Sequence, residues 1–206
     1  MKRLLFVCLF ALPLISCGLA EDEQDDKNKR IYITFTDPAF EAYCLREFDL
    51  NGDGRVSVYE AERIRRIDCP GLGIRSLSDI SYFKNLRTLD CSDNLLTDLD
   101  LRKCPLLTEV DCSGNRIGWL DVRDLRGLRS LYCSNNLLGE LDLQSNASLS
   151  TLVCRANALK TLDVSGCASR MELVDATANP SLAVLYIGSG QVVSYLIDGP
   201  TRVEVL

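Results

Sequence analysis

The 206-residue chain has no histidine, one tryptophan and two methionines, and only 7% of its residues are aromatic. Without histidine there is no Ser-His-Asp or Cys-His relay for nucleophilic catalysis and no zinc-binding HExxH helix. The glycine loops that cradle phosphates or dinucleotides are missing as well. Positive charge is in short supply: 23 Lys and Arg face 29 Asp and Glu, a formal net charge of −6. Nucleic-acid binding needs a cationic face, so that partner is excluded. Carboxylates do recur, but on a regular ladder that a repeat produces without catalysis, whereas a glycosidase pair needs a cleft around it. The expectation is a protein that is not an enzyme. The apolar share of 47% suffices for a core.

The one long apolar run lies at the start. Met1-Lys2-Arg3 is a short positive segment, followed by a largely apolar stretch from Leu4 to Ile15. That is the pattern of a targeting signal and is short for a membrane-spanning helix. The run Leu14-Ile15-Ser16-Cys17-Gly18 resembles the lipobox of bacterial lipoproteins. The resemblance implies residues 1–17 as a lipoprotein signal peptide and Cys17 as the lipid attachment point; an ordinary signal peptide cut near Ser16 is the alternative. Acyl chains on Cys17 hold a protein at a membrane. Residues 18–36 read as an acidic tether, opening with Glu21-Asp22-Glu23-Gln24-Asp25-Asp26. Acids just behind a lipidated cysteine resemble a surface-export signal of some Gram-negative bacteria. The expected location is the outer membrane, lipid-anchored and surface-exposed.

Residues 37–66 read as a helix-loop-helix cap. Asp37-Pro38 suits a helix start, and Phe40, Cys44 and Phe48 recur on one helical face. The twelve residues from Asp49 to Glu60 then match the EF-hand pattern. A hard cation takes oxygen ligands at alternate positions. Asp49, Asn51 and Asp53 offer side chains, Arg55 its backbone carbonyl, Ser57 a water and Glu60 both carboxylate oxygens, while Gly54 permits the sharp turn. One calcium ion of structural role is expected. A loop that keeps its shape without metal is the alternative. Ser57 with Glu60 also spells a helix capping box.

The rest of the chain repeats. Leu86, Leu89, Cys91, Asn94, Leu96, Leu99 and Leu101 define one copy, and the pattern returns at Leu107, Leu128 and Leu149. Cys91, Cys112, Cys133 and Cys154 stand 21 residues apart; Cys69 and a degraded copy around Met171 to Asn179 extend the series. Over residues 64–187 the chain resembles the leucine-rich-repeat family. The resemblance implies an α/β solenoid with a parallel concave sheet of about five to six strands. Residues 188–206 are expected to close it as a β cap, with 191–197 and 201–206 forming a hairpin around Asp198-Gly199-Pro200.

Strand alternation places the cysteines inside as buried thiols, where cysteine is a good small core filler; zinc or disulfides are the alternatives, and a linear row does not suit tetrahedral zinc. Cys104 and Cys167 read as turn-packing residues; Cys44 has no equivalent, and a disulfide there stays open. Outward lies a column of Asp68, Asp90, Asp111, Tyr132, Val153 and Asp175. Stacked aspartates repel, which points to a cationic partner or to simple screening by solvent. Asp90, Asp111, Tyr132, Val153 and Arg155 are the candidate partner-binding residues, because an aromatic and an arginine beside an apolar group match interface hot spots. The expected partner is another protein. Carbohydrate is the alternative, disfavoured by the scarcity of aromatics on that face, and a passive envelope spacer is the third reading. Trp119 is placed beyond its strand, near a loop edge.

Overall fold

The computed structural model describes residues 30–206. The proposed signal peptide, Cys17 and almost all of the acidic tether lie outside the described residues. Helix α1 (Pro38–Phe48) starts where Asp37 Oδ1 accepts the N–H groups of Ala39 and Phe40. Asp37 Oδ2 accepts two more, from Arg75 and Ser76 of the first repeat turn. Burial of this carboxyl raises its pKa, but the four N–H donors outweigh burial and hold it below the ordinary 3.8. A short helix α2 (Val58–Ala61) follows the Asp49–Glu60 loop and carries the expected Ser57–Glu60 capping box.

Twelve short strands then wind up in chain order. The first six are β1 (Arg66–Asp68), β2 (Thr88–Asp90), β3 (Asp98–Asp100), β4 (Glu109–Asp111), β5 (Trp119–Asp121) and β6 (Ser130–Tyr132). The others are β7 (Thr151–Val153), β8 (Thr161–Asp163), β9 (Arg170–Asp175), β10 (Val184–Ile187), β11 (Val192–Leu196) and β12 (Arg202–Val205). One 3-10 helix, Ser78–Tyr82, takes the place of a back strand in the first turn. All pairings among the strands are parallel, as a coil of successive turns requires.

The front of the coil is one sheet in the order β1-β2-β4-β6-β7-β9-β11. It holds seven strands, not five or six, because 192–196 adds a further turn. The expected C-terminal hairpin does not form. β11 pairs with β9 and β12 with β10, so 191–206 continues the coil instead of folding back on itself. Asn179, at the end of the degraded copy, makes the same bonds as its counterparts in earlier turns.

Those bonds explain why the front sheet keeps its register. Asn136 is buried; its Nδ2 donates to the carbonyls of Cys112 and Cys133, and its Oδ1 accepts from Ile117 N at 2.9 Å. Each such asparagine satisfies backbone groups of its own turn and of the turn before it. Asn94, Asn115 and Asn157 repeat the arrangement. The residue immediately before the asparagine bends the chain sharply: Asp93, Asn135, Ala156 and Ala178 all sit at φ between 54° and 56°.

The core is continuous from the helical cap to the last turns. Phe40 and Phe48 of α1 meet Phe83 of the first turn, with ring centroids 6.0 and 5.8 Å apart. The Tyr43 hydroxyl accepts the N–H of Asp68 in β1. Residues 31–36, grouped with the tether on sequence grounds, pack: Ile33 is buried, and Tyr32 bridges antiparallel to Ser57. Cap and coil are therefore one folding unit with no linker between them.

Candidate binding face

The long sheet sets the outward column in register: Asp68, Asp90, Asp111, Tyr132, Val153 and Asp175 occupy matching places on neighbouring strands. The stacked aspartates have local work to do. Asp90 Oδ1 accepts the Ser92 N–H and hydroxyl at 3.0 and 2.6 Å, and Asp111 and Asp175 close the same small turn with Ser113 and Thr177. Each carboxylate thus caps the end of its own strand. Arg66 adds a cation at the column's start, its guanidinium 3.0 Å from Asp68 Oδ2.

A shallow hollow of about 270 Å³ lies on this sheet, walled by Arg66, Thr88, Asp90, Glu109, Asp111 and Tyr132. Asp90, Asp111 and Tyr132 come together there, as the strand pattern implied. Val153 and Arg155 lie further along the sheet, outside the hollow, with Arg155 exposed. The hollow gains Arg66, Thr88 and Glu109, which sit in the flanking column. Their signal in the sequence was only their place two residues earlier on the same strands, on the same outward face.

Behind the sheet runs the row of thiols. Cys69, Cys91, Cys112, Cys133 and Cys154 are buried and free, as are Cys44, Cys104 and Cys167. Burial drives their pKa upward, to about 12 for Cys69 and Cys154 and well above 9.0 for Cys91 and Cys133. They are neutral core filler at physiological pH. A parallel coil of some seven turns, with leucines inward, a buried asparagine recurring in five of them and a thiol row, decides the architecture.

The fold is a leucine-rich-repeat solenoid.

The family model for leucine-rich repeats in two copies matches residues 84–127. Among solved structures this chain is similar to the functional domain of InlJ from Listeria monocytogenes, itself described as including a cysteine ladder. The TM-score is 0.67 at 27% identity, over 75% of this chain and 36% of that one. This chain thus spans about a third of that domain's length. Internalin C2 of Listeria monocytogenes shares the fold at 21% identity and a TM-score of 0.50, over 78% of this chain and 87% of that one. No curated protein matches the sequence.

The loop of the cap is the second site read from sequence. Gly52 and Gly54 adopt φ of 72° and 80°, a region open to glycine. Asp49 Oδ1 accepts Gly52 N and Asp53 N, and Oδ2 accepts Gly54 N. Glu60 Oε1 accepts Leu50 N, and Oε2 accepts the N–H and hydroxyl of Ser57. The Tyr32 hydroxyl donates to Asp53 Oδ2. Asp49, Asn51, Asp53, Arg55, Ser57 and Glu60 therefore share one tight loop. Among the described residues no three His, Cys, Asp or Glu side chains stand close enough together to hold a metal ion. The donor chemistry is nonetheless that of a hard cation, all oxygen and rich in carboxylate.

Proposed function

We propose that this chain is a surface binding protein that recognises another protein through its long sheet. The observation that carries the reading is the hollow bounded by Arg66, Glu109, Asp111 and Tyr132 on a continuous, register-locked sheet. A rigid platform with one aromatic and mixed charge suits recognition, because little entropy is lost on ordering it. Cys17 and the acidic segment behind it fit attachment to the outer membrane, which leaves the solenoid free to meet partners. The repeat carries no relay of acid, base and nucleophile for a reaction.

The test is a pull-down from envelope and host extracts with the purified chain, followed by affinity measurements on Tyr132→Ala and Arg155→Ala together. Tyr132 at the hollow and Arg155 beyond it should jointly cost tenfold or more in Kd. Unchanged affinity places the contact elsewhere.

We also propose one calcium ion in the loop, with Asp49, Asn51, Asp53 and Glu60 as side-chain ligands, Arg55 through its carbonyl and Ser57 through a water. Its role is structural, because the loop is tied to the first repeat through α2 and β1. Adding millimolar calcium to chelated protein should raise Tm by several degrees, and Glu60→Gln should abolish the rise. An unchanged Tm with no heat of binding overturns the calcium reading.

A further inference from the structure

The back of the solenoid carries a second column of carboxylates, and one part of it is left without a cation. Asp100, Asp121, Asp142 and Asp163 recur every 21 residues in the Leu-Asp-Leu or Leu-Asp-Val segment of each turn. Each accepts the backbone N–H two residues on, from Arg102, Arg123, Gln144 and Ser165 in turn. The side chains at those following positions differ in kind. Arg102 Nη2 lies 2.6 Å from Asp100 Oδ2 and its Nε 3.4 Å from Asp121 Oδ2. Arg123 grips Asp121 with two nitrogens, at 2.6 and 3.0 Å. In the next two turns the arginine is replaced: Gln144 offers Asp163 a neutral amide at 3.0 Å, and Ser165 a hydroxyl at 2.6 Å.

The backbone opens at the same place. The back ladder runs β3-β5 and then β8-β10-β12, and the intervening turn, residues 140–142, joins neither. The break forms a cleft of about 370 Å³ walled by Trp119, Arg123, Glu140, Asp142, Thr161 and Asp163. Trp119, the only tryptophan of the chain, is 45% exposed in β5 at its edge. It lies within a strand, not beyond one as its sequence position suggested. Glu140 and Asp142 are exposed and Asp163 is half-buried. The one cation in the wall, Arg123, is committed to Asp121.

We propose that this cleft receives an arginine side chain of a basic partner protein, held by Asp142 and Asp163 and walled by the indole of Trp119. The chain itself shows the fit, since its own arginines already occupy the same aspartate position one and two turns earlier. A guanidinium offers a planar fork to paired carboxylates and a flat face to an aromatic ring. Four carboxylates line the cleft and Arg123 is committed to one of them, Asp121, so the other three favour a cation over a neutral sugar. This site lies on the second strand ladder, shares no residue with the hollow of the long sheet and does not depend on the reading of that sheet.

Because Trp119 is the only tryptophan, its fluorescence reports on this cleft alone. Blocked tetra-arginine, tetra-lysine, tetra-glutamine and cellotetraose are titrated into the full chain at low salt and again at 0.5 M NaCl. Tetra-arginine should change Trp119 emission saturably, with an apparent Kd at least tenfold weaker at 0.5 M salt. The Asp142→Asn/Asp163→Asn variant should weaken binding at least tenfold, with an unchanged circular dichroism spectrum to show that it folds. Glu109→Gln on the long sheet should leave the titration as it was. Absence of a saturable change with tetra-arginine, or a change that the double variant leaves intact, overturns the proposal. Equal binding of tetra-lysine overturns the assignment to guanidinium, and a saturable response to cellotetraose alone makes the cleft a sugar site.

Discussion

Front and back of this solenoid are built from the same repeat, yet only the front sheet is continuous. It runs through seven strands without a gap, while the back ladder breaks at 140–142. Both faces carry one polar residue per turn, and the difference lies in what it bonds to. The front asparagine is buried and bonds to two turns at once: Asn115 reaches the carbonyls of Cys91 and Cys112, one in each turn. The back aspartate bonds the N–H two residues on, within its own turn. Only occasional side chains tie neighbouring back turns, such as Arg102 to Asp121 and Gln144 to Asp163. A buried group that must satisfy two turns locks their spacing. One satisfied locally leaves the turns free to part, and a break becomes available for binding.

The largest expected effect comes from alkali acting on the front wall. In the unfolded chain a thiol ionises near 9.0, whereas burial disfavours the thiolate in the fold and pushes the thiols up, to about 12 for Cys69 and Cys154 and well above 9.0 for Cys91 and Cys133. Between those values the folded state holds more protons, so stability is full below pH 9 and falls as pH rises through that window. Each buried thiol removes about 1.4 kcal/mol per pH unit, and the row acts together. Urea unfolding should show collapse between pH 9 and 11. Cys133→Ala should be less stable at neutral pH, by about 1–2 kcal/mol for the cavity, yet show a shallower fall above pH 9. An identical slope would mean that the thiols do not drive it.

Next in size is the bond that joins front turns. Asn136→Ala strips a buried amide and leaves the Ile117 N–H and the Cys112 and Cys133 carbonyls short of a partner. The expected loss is about 2–4 kcal/mol, read by urea denaturation. A loss under about 1 kcal/mol would remove the asparagines as the reason for front continuity.

Much of the front was legible beforehand, and the reasons are specific. The 21-residue spacing of Cys91 to Cys154 fixed both which side chains face inward and which strands are neighbours, because equal turns stack in phase. The C-terminal misreading has a physical cause as well. Residues 191–197 and 201–206 alternate as strands do, and alternation says nothing about the partner; Asp198-Gly199-Pro200 then suggested a hairpin turn. Continuing the repeat's phase past Asn179 points instead to strands that join both existing ladders, as β11 and β12 do. The back cleft was not legible. The aspartates at 100, 121, 142 and 163 were plain in the repeat, but a ladder break is a failure of backbone bonding that side-chain type does not announce.

A smaller effect tests the strain at the front turns. Ala156 holds φ at 54°, where a Cβ crowds the backbone and glycine is at ease. Ala156→Gly relieves that crowding but gives the unfolded chain more freedom. The net expectation is a gain of about 0.5–1 kcal/mol, with the front register kept.

The smallest expected effect separates the two halves of the back column, and its smallness is the point. The Asp121 side chain is 1% exposed beneath Arg102 and Arg123. Hydrogen bonds from Arg123 lead in holding its carboxyl below the ordinary 3.8, so the pair's contribution is present above that pH and fades as pH falls through the folded value. Asp121→Asn should therefore cost about 1.5–3 kcal/mol at neutral pH. Asp142 is exposed and accepts one backbone N–H. Asp142→Asn should change stability by less than about 0.5 kcal/mol in the same measurement. A residue that the fold scarcely uses, in a repeat position where its counterparts are tightly paired, is free to serve a ligand. A cost for Asp142→Asn as large as that for Asp121→Asn would make it a structural carboxylate like the others and erase the distinction between the two halves.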